Sequence, residues 1–189
     1  ERYVVVEECL VAGAPTAFHW VADRQSGPLL VRYGTERQKR EIIPKIVAGK
    51  GCFAIGMSEP NSGSDLASLK TRAEKTDSGW LVNGTKIWTS NAHRANYMIA
   101  LFRTDPDPDK KHAGLSQFLI NLDEAKGVKP RPIKNLAGGR NFNEVAFENV
   151  ELPEDALIGV EGQGWRQVTE ELAFERSGPE RYLSSFFLL

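Results

Sequence analysis

The chain has 189 residues, is 41% hydrophobic and carries a formal net charge of −1. This length is enough for one substantial core, and the balance of 24 basic and 25 acidic residues argues against nucleic acid as a partner. No apolar run approaches the roughly 20 residues of a membrane-spanning helix, and the first residues do not open a secretory signal. Cys9 and Cys52 lie far apart without histidines at metal-ligand spacing, which predicts free buried thiols and no metal site. We expect a cytoplasmic protein.

The first third of the chain has helical periodicity. Apolar residues recur at helical spacing within residues 4–21, and Gly27-Pro28 is expected to break this pattern. A second helix is predicted to begin with a capping box, in which Thr35 and Gln38 satisfy each other's free amide groups. Pro44 is expected to bend or shorten that helix.

From residue 52 the hydrophobic pattern changes to alternation, which is typical of strands. Asn83-Gly84 lies between two such runs and predicts a hairpin turn, because both central residues of that turn need positive φ. Further strands are predicted at residues 97–102, 115–122, 128–133 and 144–150. Strands at this spacing indicate a sandwich or a barrel.

The predicted fold class is α+β, with an antiparallel β-barrel or sandwich as a middle domain flanked by helical segments. The expected divisions are residues 1–51, 52–160 and 161–189. On the last predicted helix, Trp165, Val168 and Leu172 share one face, and Glu175 continues it inward. The apolar residues 186–189 have no polar tail after them, so we expect an internal piece of a longer protein.

Two segments have the composition of a ligand-binding site. Residues 57–65 read Met-Ser-Glu-Pro-Asn-Ser-Gly-Ser-Asp, and small residues of this kind let a ligand approach the backbone closely. Residues 83–91 read Asn-Gly-Thr-Lys-Ile-Trp-Thr-Ser-Asn and bring an aromatic plane and two hydroxyls to one strand end. Taken singly, a polar turn and a core tryptophan are the simpler interpretations.

Taken together, the two segments resemble the signature segments of the acyl-CoA dehydrogenase family, and the resemblance covers nearly the whole chain. It implies FAD as the cofactor, with Met57 and Ser58 at the flavin ring and its pyrimidine edge, Trp88 against the isoalloxazine, and Ser90 near N5. Further cofactor-binding candidates are Phe53, Ile55 and Thr89. Gly63 and Ser64 match positions that contact the pantetheine or phosphate portion of CoA.

The resemblance also implies a concerted reaction, in which a glutamate removes the α proton of an acyl-CoA while the β hydride moves to flavin N5. Some family members carry this base on the first helix after the β domain, directly before an arginine. Glu175 and Arg176 match that pattern, so Glu175 is the candidate base and Arg176 a candidate CoA contact. The alternatives are a solvated Glu175 and a base beyond the present sequence.

Two departures affect the substrate that the resemblance implies. Ala173 stands where many family members have an aspartate that helps to hold CoA. Ser177-Gly178-Pro179 introduces a helix breaker just after the candidate base, so a straight fatty acyl chain does not follow.

The resemblance implies partners as well. These are an acyl-CoA substrate, electron-transferring flavoprotein as the electron acceptor, and a homo- or hetero-oligomer that is a dimer or tetramer. Two other functions remain open at this point. One is a flavin monooxygenase or oxidase on the same scaffold, and the other is a non-catalytic subunit that lends one wall of a shared site to a paralogous partner.

Overall fold

The computed structural model describes residues 1–14, 17–176, 178 and 183. The helices are α1 (Arg2–Val11), α2 (Ala17–Trp20), a π-helical segment (Val21–Ser26), α3 (Gly27–Tyr33), α4 (Glu36–Val47) and α5 (Gly164–Arg176). The strands are β1 (Phe53–Gly56), β2 (Arg72–Thr76), β3 (Gly79–Ser90), β4 (Tyr97–Arg103), β5 (Leu115–Asn121), β6 (Val128–Ile133) and β7 (Phe142–Pro153). The strands after residue 90 confirm the four predicted ones, with β7 extended at both ends.

The strands named above form one sheet. β5 runs antiparallel to β4 at one edge, and the other side of β4 is shared by β1 and β2, both parallel to it. From β2 the sheet continues antiparallel through β3, β7 and β6. The α+β class is therefore confirmed, with a mainly antiparallel sheet and a parallel β1–β4 pair that alternation alone did not predict.

The sheet curls around an apolar core. Trp80 of β3 and Phe118 of β5 lie on strands that are not neighbours, yet their ring centroids are 5.1 Å apart. Phe102 packs between Phe118 and Phe147, at 5.5 Å and 5.2 Å. Because rings from distant strands meet inside one space, the sheet has the curvature of a barrel wall.

The other face of β1 and β4 carries the helices. Phe53, Tyr97 and Ile99 pack there against Leu29, Leu30 and Ile42 of the helical layer in a second buried cluster. The capping box of α4 is confirmed, since Gln38 N–H donates to Thr35 Oγ1 at 3.1 Å and Thr35 N–H donates to Gln38 Oε1 at 3.0 Å. The helical layer therefore covers the strand that leads into the residue 57–65 loop.

The prediction that Gly27-Pro28 breaks the helical pattern is wrong. α3 begins at Gly27 with Pro28 in its first turn, where the missing N–H would have no helical partner in any case. The π-helical segment before it carries the chain from α2 into α3 without interruption. Pro44 likewise lies inside α4, which continues to Val47.

The predicted Asn83-Gly84 hairpin is also wrong. Both residues lie within β3, and the turn between β2 and β3 falls at residues 77–78. Gly84 has φ 143°, and a Cβ there would lie 2.5 Å from Thr71 Oγ1. The glycine is needed because another part of the backbone approaches closely at a bulge, and any side chain at this position would clash with it.

No helix in the described part of the chain is long and apolar enough to cross a membrane. Cys9 and Cys52 are free and half-buried, and no cluster of metal-ligating side chains occurs among the described residues. Ser177, Pro179 and residues 186–189 lie outside the described residues.

Candidate functional site

The loop after β1 is held against the end of β3 through its carbonyl groups. Ile87 N–H donates to the Ser58 carbonyl at 2.9 Å, and Lys86 Nζ donates to the Met57 carbonyl at 3.0 Å. Within the described part of the chain, the Met57 N–H, the Ser58 N–H and the Ser58 hydroxyl make no hydrogen bond. Both residues are half-buried. The loop thus presents three unused hydrogen-bonding groups together.

An ion pair lies beneath this loop. Lys86 Nζ is 2.8 Å from Glu59 Oε1, and the two side chains are 0% and 7% exposed. Glu59 also accepts the N–H groups of Lys70 and Thr71, at 2.6 Å and 2.9 Å. Burial lowers the pKa of Lys86 to about 8 although Glu59 opposes this. Desolvation would raise the pKa of Glu59, but Lys86 and the hydrogen bonds outweigh it and the pKa is lowered.

Trp88 is turned out of the sheet by a β-bulge. The β3–β7 register shifts between Lys86 and Thr89, and Trp88 has φ 60°. Its side chain is 58% exposed and meets Phe142 edge-on, with centroids 6.2 Å apart. A left-handed conformation costs energy for a bulky residue, so the surrounding strands must impose it. Bulges of this kind re-aim side chains next to active sites.

An open, mainly apolar groove runs beside Trp88. Its volume is about 650 Å³, and it is lined by Trp88, Ile133, Lys134, Asn135, Leu136, Ala137 and Phe142. Leu136 is fully exposed there, and Phe142 is 41% exposed. Adjacent exposed apolar side chains of this size indicate a binding surface, and a flat ring system is the ligand that an exposed indole accommodates best.

The two hydroxyl residues after Trp88 point to opposite sides. Ser90 is exposed, whereas Thr89 is 1% exposed and its Oγ1 has no partner among the described residues. The Thr89 carbonyl accepts a hydrogen bond from Asn143 Nδ2 at 2.9 Å, and Asn143 Oδ1 lies 2.9 Å from His93 Nδ1. Asn143 and His93 therefore support the strand end, a role that sequence patterns did not predict.

The strand β1 candidates lie away from the groove. Phe53 is 4% exposed and stacks on Tyr97 at 5.3 Å, and Ile55 packs into the same helix-facing cluster. The Met57 side chain joins a third cluster with Trp165. The structure therefore brings Met57 and Ser58 to the Trp88 end through their backbone, and places the Phe53 and Ile55 side chains under the helices.

Gly63 and Ser64 lie at the exposed tip of the same loop. A Cβ at Gly63 would meet no atom within 4 Å, so the backbone there is open to a ligand. The next residue, Asp65, pairs with Lys111 at 3.0 Å, which joins the loop tip to the turn before β5.

The inward face of α5 differs from the predicted one. Gln167, Val168 and Glu171 are buried, whereas Leu172 is 37% exposed. The reason is that β5, which packs against α5, presents a polar side chain there: Gln117 Nε2 donates to Glu171 Oε2 at 2.9 Å. Desolvation raises the pKa of Glu171 to about 7, with a smaller contribution from Glu175 in the same direction.

Glu175 follows Glu171 by one helical turn. Glu175 is half-buried, and its carbonyl accepts a hydrogen bond from the buried Arg24 at 2.8 Å. Arg176, the next residue, is exposed. Glu175 therefore lies on the same side of α5 as the buried Glu171, and not on the face of Leu172 from which its position was predicted.

These features define an α+β protein with a curled sheet and one helical layer. Its candidate ligand site combines a donor-rich loop with an outward-facing tryptophan. The family model for the acyl-CoA dehydrogenase middle domain matches residues 54–150, and the model for the N-terminal domain matches residues 1–50. The chain therefore belongs to the acyl-CoA dehydrogenase family.

Individual relatives agree with this assignment. Acyl-CoA dehydrogenase IpdE1 of Mycobacterium tuberculosis is 39% identical over 93% of this chain and 45% of its own length. A variant of the Tcur3481-Tcur3483 steroid ACAD has a TM-score of 0.86 at 38% identity, over 94% of this chain and 46% of that one. The ChsE4-ChsE5 complex of M. tuberculosis has a TM-score of 0.80 at 35% identity, over 91% and 43%. The chain thus spans less than half the length of these relatives.

Proposed function

We propose that the full-length protein is an FAD-dependent acyl-CoA dehydrogenase that introduces a double bond between the α and β carbons of a CoA thioester. The observation that carries the proposal is the meeting of the free Met57 and Ser58 donors with the exposed Trp88 at one end of β3. Bound FAD supplies a hydride acceptor at N5.

The residues at this end suit a flavin by type and by availability. Met57 N–H, Ser58 N–H and the Ser58 hydroxyl would donate to the carbonyl and nitrogen acceptors of the pyrimidine edge. Trp88 would cover one face of the ring, since its indole is exposed and held by the bulge. Ser90, exposed on the same strand end, would approach the N5 edge, as the family resemblance implies.

Glu175 is proposed as the base that takes the α proton on its carboxylate. Its support is geometric, because it lies on the inward side of α5 and its backbone is fixed by Arg24. Arg176 is exposed next to it and suits the phosphates of CoA. The open loop tip at Gly63 and Ser64 would receive the pantetheine portion.

An anaerobic titration of the purified full-length protein with acyl-CoA thioesters tests this function. The flavin absorbance near 450 nm should bleach with at least one member of a panel of straight-chain, branched and steroid thioesters. Glu175→Gln should keep its FAD and reduce it slower by orders of magnitude, and the exposed Glu161→Gln should behave as wild type. Flavin reduction at nearly the wild-type rate in Glu175→Gln would place the base beyond the present sequence.

The assembly is proposed to be a dimer or tetramer, and similarity to the ChsE4-ChsE5 complex favours testing a heteromeric one. If this chain lends only one wall of a shared site, bleaching will require a co-purified partner subunit. If the reduced flavin instead reoxidises rapidly in air, the protein is an oxidase or monooxygenase on this scaffold. Slow reoxidation together with rapid reoxidation by electron-transferring flavoprotein would support a dehydrogenase.

A further inference from the structure

One buried ion pair connects the two segments that carry the candidate flavin site with the segment just before β2. Lys86 belongs to β3, Glu59 belongs to the loop after β1, and the N–H groups that Glu59 accepts belong to Lys70 and Thr71, just before β2. No other ion pair among the described residues has both side chains below a tenth exposed. The pair therefore joins these three segments to one another inside the protein.

Lys86 also acts directly on the backbone of the site. Its Nζ donates to the Met57 carbonyl at 3.0 Å, and the adjacent Ile87 N–H donates to the Ser58 carbonyl at 2.9 Å. Both carbonyls are thereby turned toward β3. The bulge that exposes Trp88 begins immediately after Lys86. One lysine thus fixes the loop on one side and the start of the tryptophan bulge on the other.

Stability alone does not account for such a pair. Removing two charges from water is costly, and well-packed apolar side chains of similar size are often as stable or more stable. A buried pair that is fully hydrogen-bonded instead selects one arrangement of the segments it joins. Here two of the joined segments carry the free donors and the exposed indole.

We propose that Lys86 and Glu59 are positioning residues, which hold the Met57 and Ser58 donors and Trp88 in the one relative arrangement that binds the flavin. The proposal rests on the proposed function of the site. Neither side chain contacts the groove beside Trp88, so both act through the loop and the bulge.

The test uses the full-length protein and the double variant Lys86→Met/Glu59→Gln, which removes both charges together and leaves no unpaired buried ion. Three quantities are measured: the melting temperature of the apoprotein, the Kd for FAD from flavin fluorescence quenching, and the visible circular dichroism of the bound flavin. The matched control is Lys129→Met/Glu148→Gln, an exposed pair that joins β6 to β7 in the same sheet.

We expect the double variant to melt close to wild type, to bind FAD at least about tenfold more weakly and to show altered visible circular dichroism, while the control changes in none of these. FAD binding within twofold of wild type together with an unchanged dichroism spectrum would overturn the proposal. If the double variant does not fold, Glu59→Asp, which keeps both charges but shortens the reach of the carboxylate by one methylene, is judged by the same two criteria. A wild-type protein that binds no FAD would instead refute the proposed function itself.

Discussion

The buried carboxyl of Glu171 makes a quantitative prediction about stability and pH. Glu171 is 4% exposed, and its pKa rises from 4.5 to about 7 because burial disfavours the charged form. At about 1.4 kcal/mol for each tenfold change, this corresponds to about 3 kcal/mol.

The sign follows from the order of the two pKa values. Between pH 4.5 and about 7 the folded protein keeps the Glu171 proton while the unfolded chain has lost it. The stabilisation from this residue is therefore full below pH 4.5, decreases as pH rises and is gone above pH 7. Glu171→Gln cannot titrate, so its stability relative to wild type should increase over this range by up to about 3 kcal/mol.

The assay is thermal unfolding of the full-length protein and of Glu171→Gln at pH values from 4.5 to 7.5. The difference in melting temperature between variant and wild type should move in favour of the variant by several degrees as pH rises. Glu170→Gln, on the same helix, is the matched control: the Tyr33 hydroxyl and two arginines lower the pKa of Glu170, so this residue titrates below the pH range of the assay and its melting-temperature difference should stay nearly constant. A pH-independent difference for Glu171→Gln would show that this carboxyl titrates normally and that the burial argument is wrong.

Three further predictions concern the sheet, the cofactor and the assembly. Gly84→Ala should lower the stability by about 1–3 kcal/mol, since a Cβ there meets Thr71, whereas Gly63→Ala should leave the melting temperature unchanged. Equal melting temperatures for the two variants would contradict the close approach. Trp88→Ala should lower FAD retention because a large stacking surface is lost, and unchanged FAD occupancy after gel filtration would count against this. The full-length protein should have the native mass of a dimer or tetramer, and a monomeric mass would refute that expectation.

Local chemistry was predictable from the sequence where it involves neighbouring residues. The capping box at Thr35 depends only on residues 35–38, and it forms as predicted. Asn83-Gly84 was misinterpreted as a hairpin turn. A glycine is required at residue 84 because Thr71 lies too close for a side chain, and only folding of the β2–β3 region brings Thr71 there. The local sequence indicates that a glycine is required at this position, but it does not show that the reason is a contact with a residue outside the local pattern.

The candidate site shows the same limit. Met57, Ser58 and Trp88 belong to the two segments that resemble the family's signature segments, residues 57–65 and 83–91. The structure brings these three residues to one strand end. The pairing of Glu59 with Lys86 was missed although both lie in those segments, because charged residues are ordinarily exposed and the sequence does not show which are buried. On α5, Glu171 faces inward because it accepts a hydrogen bond from Gln117. The sequence prediction missed this because it took only apolar residues as the buried face of the helix.

The π-helical segment Val21–Ser26 has a consequence for how this region tolerates changes in length. A π turn accommodates one residue more than an α turn, so deleting a single residue there would allow an ordinary α-helix to form. Because the wide turn takes up the extra residue, the residues on its N-terminal side would keep nearly the same rotation about the helix axis relative to α3. Such a deletion would leave the faces of α2 and α3 in place, so this segment is a position where the chain can change in length by one residue without altering the helical layer or the sheet.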